Sequence, residues 1–270
     1  MRDYLLAIVQ GIVEGLTEFL PVSSTGHLIL SGYLLDFTEE AAKSFEIFIQ
    51  LGAILAVAVL YRQRFRRMLE HLAGRSTAGG PVLTISHMLA AMGPAVVLGL
   101  AAHGFIKEKL FTPWTVIIGL VAGGIFMLVA ERFQPRVRAP EVERLTIRQT
   151  FGIGLFQCLS LWPGFSRSGA TIAGGLLLGA NHKASADFSF MLAVPMMAAA
   201  TGLDLVKSLD VLGKENIGPF AVGFVVSFVV AWIAVVWFLR LLNRVRLAPF
   251  AWYRFAVAIA FAAYLLATGR

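Results

Sequence analysis

The sequence predicts an all-α integral membrane protein. Three observations carry that reading: the composition, six apolar runs of spanning length, and two polar breaks inside shorter runs. Of 270 residues, 58% are hydrophobic and 14% are charged, with a mean hydropathy of +0.77. A soluble domain has roughly 45–50% apolar and about 25% charged residues, so lipid is the solvent this chain suits. Several spans of this total length form one bundle around a buried polar site, and no second domain is evident.

The six runs lie at about 44–61, 82–102, 113–131, 185–206, 217–239 and 249–268. Each is near the roughly 20 residues a bilayer requires. Four shorter segments, at about 4–20, 23–36, 147–162 and 167–180, form two adjacent pairs. PVSSTGH at 21–27 breaks one pair and PGFSRSGAT at 163–171 breaks the other. Irregular backbone inside a membrane is tolerated only where protein buries it or where it lines a polar cavity. Each pair is therefore expected to be a re-entrant helix hairpin, giving about ten helical segments, six of them spanning.

The chain also repeats. A shift of 143 residues, without a gap, lays GIVEGLT at 11–17 on GLFQCLS at 154–160. The same shift places Ser23, Gly26, Ile29, Gly32 and Leu34 on Ser166, Gly169, Ile172, Gly175 and Leu177, and Phe45 on Phe188. One ungapped offset that covers a motif and the next helix outweighs single Gly or Leu matches. The expected organisation is one membrane domain, 1–270, of two repeats. Repeat 1, about 1–135, has hairpin 4–36 and spans 44–61, 82–102 and 113–131. Repeat 2, about 145–270, has hairpin 147–180 and spans 185–206, 217–239 and 249–268. Three crossings per half invert the second half, the design of many transporters.

Basic residues are counted independently of that pattern. Loops 62–81, 132–148, 180–187 and 240–248 hold 14 Lys and Arg, and the opposite side holds 7, among them Arg2, Lys43, Lys107, Lys207, Lys214 and Arg270. The positive-inside rule makes the first side cytoplasmic and both termini external. The net charge of +7 thus has a topological explanation, and no nucleic-acid motif accompanies it. One cysteine, Cys158, allows neither a disulfide nor a zinc site by itself. The first residues lack a signal-peptide pattern and are expected to remain in the mature protein. Arg167 and Arg254 are left over, both within membrane segments.

Glu14 and Glu18 are four residues apart and share a helix face, which Gln10 extends by one turn. An ionisable residue in mid-membrane costs roughly 2.5–3.5 kcal/mol, so two on one face point to function; the alternative is an interfacial or structural pair. Gly11 and Gly15 lie on a neighbouring face and permit close helix contact. Ser23, Ser24 and Thr25 stand where a second half-helix begins, and the free N–H groups of a helix start favour an anion. His27, in the same cluster, titrates near neutral pH and can move a proton. His71, His87, His103 and His182 have no such company and receive no role.

In the second break, Arg167 is flanked by Ser166 and Ser168, with Gly169 and Thr171 following. Its planar fork of donors matches phosphate oxygens; alternatively it pairs with Glu14 or Glu18 in an empty site. Carboxylates, hydroxyls and His on one tip, with Arg and hydroxyls on the other, suit a phosphate compound at a lipid–water boundary. A diphosphate beside two ionised glutamates is repelled unless a carboxyl is protonated or a cation bridges them, and Mg²⁺ is often held by one or two carboxylates plus substrate phosphates. The residues alone leave phosphoryl chemistry and phosphate-lipid transport both open.

At these residues the chain resembles the undecaprenyl-diphosphate phosphatase family of bacitracin-resistance type. The resemblance rests on QGIVEGLTEFLPVSSTGHL at 10–28, FEIFIQLGAILAV at 45–57 and PGFSRSGATI at 163–172, and it covers essentially the whole chain. It implies hydrolysis of the C55 polyprenyl diphosphate to the monophosphate, which recycles the carrier for peptidoglycan. It further implies dependence on Mg²⁺ or Ca²⁺, a homodimer in the bacterial inner membrane, and a site open to the outer face. The family's acidic motif falls on Glu14 and Glu18, which would hold the metal or act as acid and base. Its histidine falls on His27 and its arginine on Arg167. Its hydroxyl ligands fall on Ser23, Ser24, Thr25, Ser166, Ser168 and Thr171. Ser24 is the expected nucleophile, with His27 assisting and water as the rival. A transporter or flippase of a polyprenyl phosphate lipid is the alternative function; a channel needs no such cluster of Glu, His and Arg.

Overall fold

In a computed structural model, residues 2–35, 37, 40–75, 81–110, 112–208, 217–242 and 246–269 are described. Of the basic residues counted above, Lys214, Arg244 and Arg270 lie outside them, as do the side chains of Lys43, Lys107 and Lys207. The described residues fold into twelve α-helices and form no strand beyond an isolated bridge between Ala139 and Ala180.

The first half runs α1 (Arg2–Thr17), α2 (Ser24–Leu35), α3 (Glu40–Leu60), α4 (Arg62–Leu72), α5 (Ile85–Ala101), α6 (His103–Phe105) and α7 (Pro113–Arg132). The second half runs α8 (Ile147–Gln157), α9 (Arg167–Leu177), α10 (His182–Ser208), α11 (Ile217–Leu241) and α12 (Ala248–Thr268). By length and composition α7, α10, α11 and α12 suit a membrane crossing, and the number rises to six if each of two bent helix pairs is one span. This is a multi-pass membrane protein.

The helices beside the two breaks differ in kind. At about 1.5 Å of rise per residue, the 12 residues of α2 and the 11 each of α8 and α9 reach only about 16–18 Å. That is little more than half of a hydrocarbon core about 30 Å thick. Helix α8 ends in a 3₁₀ turn, Cys158–Leu161, just before the second break. Thr112 and Thr146 accept from the N–H groups of Thr115 and Gln149, capping α7 and α8.

Helical structure extends beyond the sequence reading: His103–Leu110 continues past the expected span 82–102 with a 73° bend. Residues 62–81 are expected to be a loop, but Arg62–Leu72 is helical and bent 69° from α3. RQRFRRMLEHL is too charged to register as an apolar run. Its few apolar side chains nonetheless share a face, burying Met68 with Phe65 packed alongside.

Small residues bring the helices beside the breaks into the bundle. Helix α1 packs on α11, where a Cβ on Gly11 would lie 2.8 Å from the Gly223 carbonyl and one on Gly15 2.8 Å from that of Ser227. Side chains larger than hydrogen would push the two helices apart. Helix α7 receives the second break in the same way: a Cβ on Gly119 would meet the Pro163 carbonyl at 2.2 Å. The main core gathers Phe19, Phe188, Phe190 and Phe238 where both halves meet.

Candidate active site

Both breaks use the same backbone device. Ser23 and Ser166, related by the 143-residue offset, adopt φ of 75° and 74°. Positive φ is uncommon for a side chain other than glycine, and such residues cost about 1–3 kcal/mol and cluster at functional sites. Each serine then caps the helix it opens: Ser23 Oγ accepts from the Gly26 N–H at 3.3 Å, and Ser166 Oγ from the Gly169 N–H at 3.1 Å. The first helical residues are consequently Ser24 on one tip and Arg167 on the other.

The tips meet. Arg167 Nη2 donates to Glu18 Oε1 at 3.0 Å, and its Nη1 donates to the Ser189 carbonyl at 2.9 Å. The guanidinium also lies over the Phe19 ring, 5.7 Å from its centroid. The Ser24 hydroxyl donates to the second Glu18 oxygen, Oε2. One carboxylate therefore joins a hydroxyl of the first break to the cation of the second.

Arg254 holds the tips in place from α12. It is fully buried; its Nη2 donates to the carbonyls of Gly119, Gly164 and Phe165 at 3.0, 2.8 and 2.9 Å. Its Nη1 reaches the Pro21 carbonyl at 3.4 Å, and its Nε the Leu120 carbonyl at 3.1 Å. Ser168 adds a further tie, donating to the Leu20 carbonyl at 2.9 Å.

Around the Glu18–Arg167 pair lies a cavity of about 200 Å³, far above the roughly 15 Å³ that one water needs. Of the residues expected from sequence, Glu18, Ser23, Ser24, Thr25, Ser166 and Arg167 line it. Gln50, Gln157 and Ser160 complete its polar wall, while Leu161, Trp162 and Met196 supply an apolar one.

The other expected residues, Gln10, Glu14, His27, Ser168, Gly169 and Thr171, are not in this wall. Gly169 N–H donates to Ser166 Oγ, Ser168 to the Leu20 carbonyl, and Thr171 bonds the Arg167 carbonyl at 2.8 Å and Ser189 Oγ at 2.6 Å. Both ring nitrogens of His27 are engaged: Nδ1 is 2.8 Å from the Ser23 carbonyl, and Nε2 is 2.8 Å from the Tyr253 hydroxyl. A carbonyl takes only a donor, so Nδ1 carries a proton and in the neutral ring Nε2 accepts from Tyr253. Gln10 Oε1 accepts from Ser31 at 2.8 Å.

Buried polar atoms are left with unused capacity: Gln10 Nε2, both carboxylate oxygens of Glu14, both polar atoms of Gln157, Arg167 Nε and Ser185 Oγ have no hydrogen-bond partner among the described residues. An unmade buried hydrogen bond is expensive, so such groups call for a ligand, ion or water. Among the described residues no three His, Cys, Asp or Glu gather as metal ligands. Two carboxylates with substrate oxygens still suffice for Mg²⁺, and the unsatisfied Glu14 oxygens fit that donor set.

Gln157, Gln50, Ser160 and Arg254 were not assigned roles from sequence. Gln157 had a signal, because the 143-residue offset places it on Glu14. Gln50 lies inside the FEIFIQLG motif.

Comparison with known proteins gives a consistent result. The family model described as bacitracin resistance protein BacA matches residues 7–260. The chain is 51% identical over 268 residues to proteins named undecaprenyl-diphosphatase 1 from Bacillus thuringiensis strain Al Hakam and from Bacillus anthracis. A protein of the same name from Bacillus cereus is 50% identical. Each alignment covers 98% of this chain and 100% of the relative.

Proposed function

The chain belongs to the bacitracin resistance protein BacA family, and from that premise we propose that it hydrolyses undecaprenyl diphosphate to undecaprenyl phosphate and inorganic phosphate. The observation that carries the reading is the Ser24–Glu18–Arg167 constellation in the wall of a cavity with one polar and one apolar side. A nucleophile bonded to a base, with a cation within reach of the phosphate, is the arrangement that phosphoryl transfer needs.

In the proposed reaction Arg167 and the N–H groups at the starts of α2 and α9 hold the diphosphate. Ser24 Oγ attacks the terminal phosphorus while Glu18 Oε2 takes its proton. The bond from phosphorus to the bridging oxygen breaks, and undecaprenyl phosphate leaves with the electron pair. Water then attacks the phosphoserine, Glu18 returns its proton to Ser24 Oγ, and phosphate is released. Gln157, Gln50 and Ser160 offer hydrogen bonds to phosphate oxygens, and Trp162, Leu161 and Met196 take the start of the prenyl chain. His27, bonded to the Ser23 carbonyl and the Tyr253 hydroxyl, supports the first break. Glu14 together with Glu18 would hold a divalent cation, Mg²⁺ or Ca²⁺, which offsets negative charge on the phosphates when bound.

Two inverted repeats in a bacterial inner membrane, with both termini and the site on the outer face, complete the proposal. The 14-to-7 distribution of basic residues and the matching positive-φ serines support it. A homodimer is proposed on the family resemblance alone.

The test is phosphate release from a polyprenyl diphosphate by purified protein in detergent, with and without EDTA. Release by the wild type, lost with EDTA, is expected. Labelled lipid that crosses a liposome membrane without phosphate release would establish transport instead. Single-turnover trapping of phosphate on Ser24 is expected; full turnover by Ser24→Ala would make water the nucleophile.

A further inference from the structure

At the Arg-rich end of the bundle, away from the two breaks, a second cavity of about 430 Å³ opens between α3, α4, α10 and α11. Four cations line it: Arg64 and Arg67 from α4, Lys183 from α10 and Arg240 from α11. The acid in its wall is Asp187, which is already engaged. Arg64 Nη1 lies 3.2 Å from Asp187 Oδ2, its Nε lies 2.9 Å from Glu143 Oε1, and the Tyr61 hydroxyl donates to Asp187 Oδ1 at 2.5 Å. Arg64 thus answers both nearby carboxylates. Arg67, Lys183 and Arg240 are exposed and have no ion-pair partner among the described residues. Leu60, Val236 and Leu239, half-buried apolar side chains, also line it.

Topology accounts for basic residues on this face, but it only requires them to be distributed among the loops. Here three uncompensated cations from three separate helices converge on one concavity, and apolar side chains share its wall. A soluble anion has no use for those apolar side chains, whereas a lipid uses both kinds. Basic pockets between membrane helices are recognised sites for anionic head groups.

We propose that this cavity binds the phosphate head group of an anionic membrane lipid through Arg67, Lys183 and Arg240, with the upper acyl chains against Leu60, Val236 and Leu239. The site is separate from the Glu18–Arg167 cavity and does not rest on the hydrolytic reading. Arg64, held by Asp187 and Glu143, fixes the bend between α3 and α4 and so the shape of the cavity.

Native mass spectrometry of the full-length protein tests this, with phosphatidylglycerol, phosphatidylcholine and inorganic phosphate as probes. One phosphatidylglycerol per chain is expected, held at least about tenfold more tightly than phosphatidylcholine. A basic residue near a membrane surface contributes about 1 kcal/mol toward an anionic lipid, so R67Q/R240Q is expected to weaken retention about 30-fold. Its melting temperature in detergent should match that of the wild type, which reports that it is folded. Should the double variant fail to fold, Lys183→Gln carries the test with about a fivefold loss. Equal retention of phosphatidylcholine, or unaltered retention in the variants, would overturn the proposal. Displacement of phosphatidylglycerol by millimolar inorganic phosphate would show a free-anion site and overturn the assignment to lipid.

Discussion

Replacing Arg254 with methionine removes a cation that touches both helix breaks while keeping much of its apolar volume. Five main-chain carbonyls lose a donor. Those of Gly119 and Leu120 lie within α7 and keep their helical partners. Those of Pro21, Gly164 and Phe165 lie in the breaks and would be stranded in a fully buried place. At about 1–3 kcal/mol for each stranded group, the cost is about 3–9 kcal/mol. Release of the guanidinium's desolvation penalty and entry of water bring the expectation to the lower end, about 3 kcal/mol. On the scaling of soluble proteins that lowers the melting temperature by about 6–12 °C, readable by intrinsic fluorescence of protein in detergent. Catalysis should suffer beyond stability, because a displacement of about 1 Å at a reacting centre costs on the order of 100-fold. Turnover per folded molecule is therefore expected to fall about 100-fold below the unfolding range. Arg254→Lys, with one compact ammonium, should recover only part of either loss. A melting temperature within about 2 °C of wild type with full turnover would refute the clamp.

Four further predictions concern the site. Glu18→Gln and Arg167→Ala are each expected to cut turnover per folded molecule by about 10²–10⁴, and near-normal turnover in either removes that residue from the machinery. Gln157→Leu deletes a buried amide that has no partner among the described residues, so thermal stability should hold or rise while KM increases up to about tenfold; an unchanged KM would leave Gln157 outside the substrate's reach. Mg²⁺ should raise the melting temperature of the wild type but not that of Glu14→Gln, and equal shifts would place the cation elsewhere. A Cβ at Gly123 would lie 2.5 Å from the Phe165 carbonyl and 2.3 Å from Arg254 Nη2, whereas Gly93 has nothing within 4 Å. Gly123→Ala is accordingly expected to lose about 1–3 kcal/mol of stability and Gly93→Ala none, as thermal melts would report.

Much of the fold was legible because lipid imposes long apolar runs. The runs at 113–131, 217–239 and 249–268 became Pro113–Arg132, Ile217–Leu241 and Ala248–Thr268. Helix α4 was not legible, since its stability comes from packing Met68 and Phe65 against the core and not from hydropathy. In the site, Glu18, Ser24 and Arg167 announced themselves as polar groups in apolar surroundings. Pairing of Arg167 with Glu14 or Glu18 was legible as an alternative, but the choice of Glu18, 149 residues away, was not. Nor was the partner of His27 legible, since Tyr253 is 226 residues away. Arg254 stood out as an intramembrane cation, but its partners are main-chain carbonyls, which leave no mark on a sequence.

The symmetry of the breaks explains how one cavity acquires opposite chemistries. Two turns built on Ser23 and Ser166 place the next residue at the same point of each helix start, and those residues are Ser24 and Arg167. The backbone device is shared, but the side chains behind it are not. The offset sets Gln157 against Glu14 and Leu161 against Glu18, so of these paired positions only those before the first break are acidic. A lone ion at this depth costs roughly 2.5–3.5 kcal/mol; pairing Glu18 with Arg167 at 3.0 Å lets both remain in the empty site. In the proposed reaction a diphosphate competes with Glu18 for that same guanidinium. As the phosphate oxygens take Arg167, Glu18 keeps Ser24 as its partner. Binding the substrate thus leaves the base facing the hydroxyl whose proton it must accept.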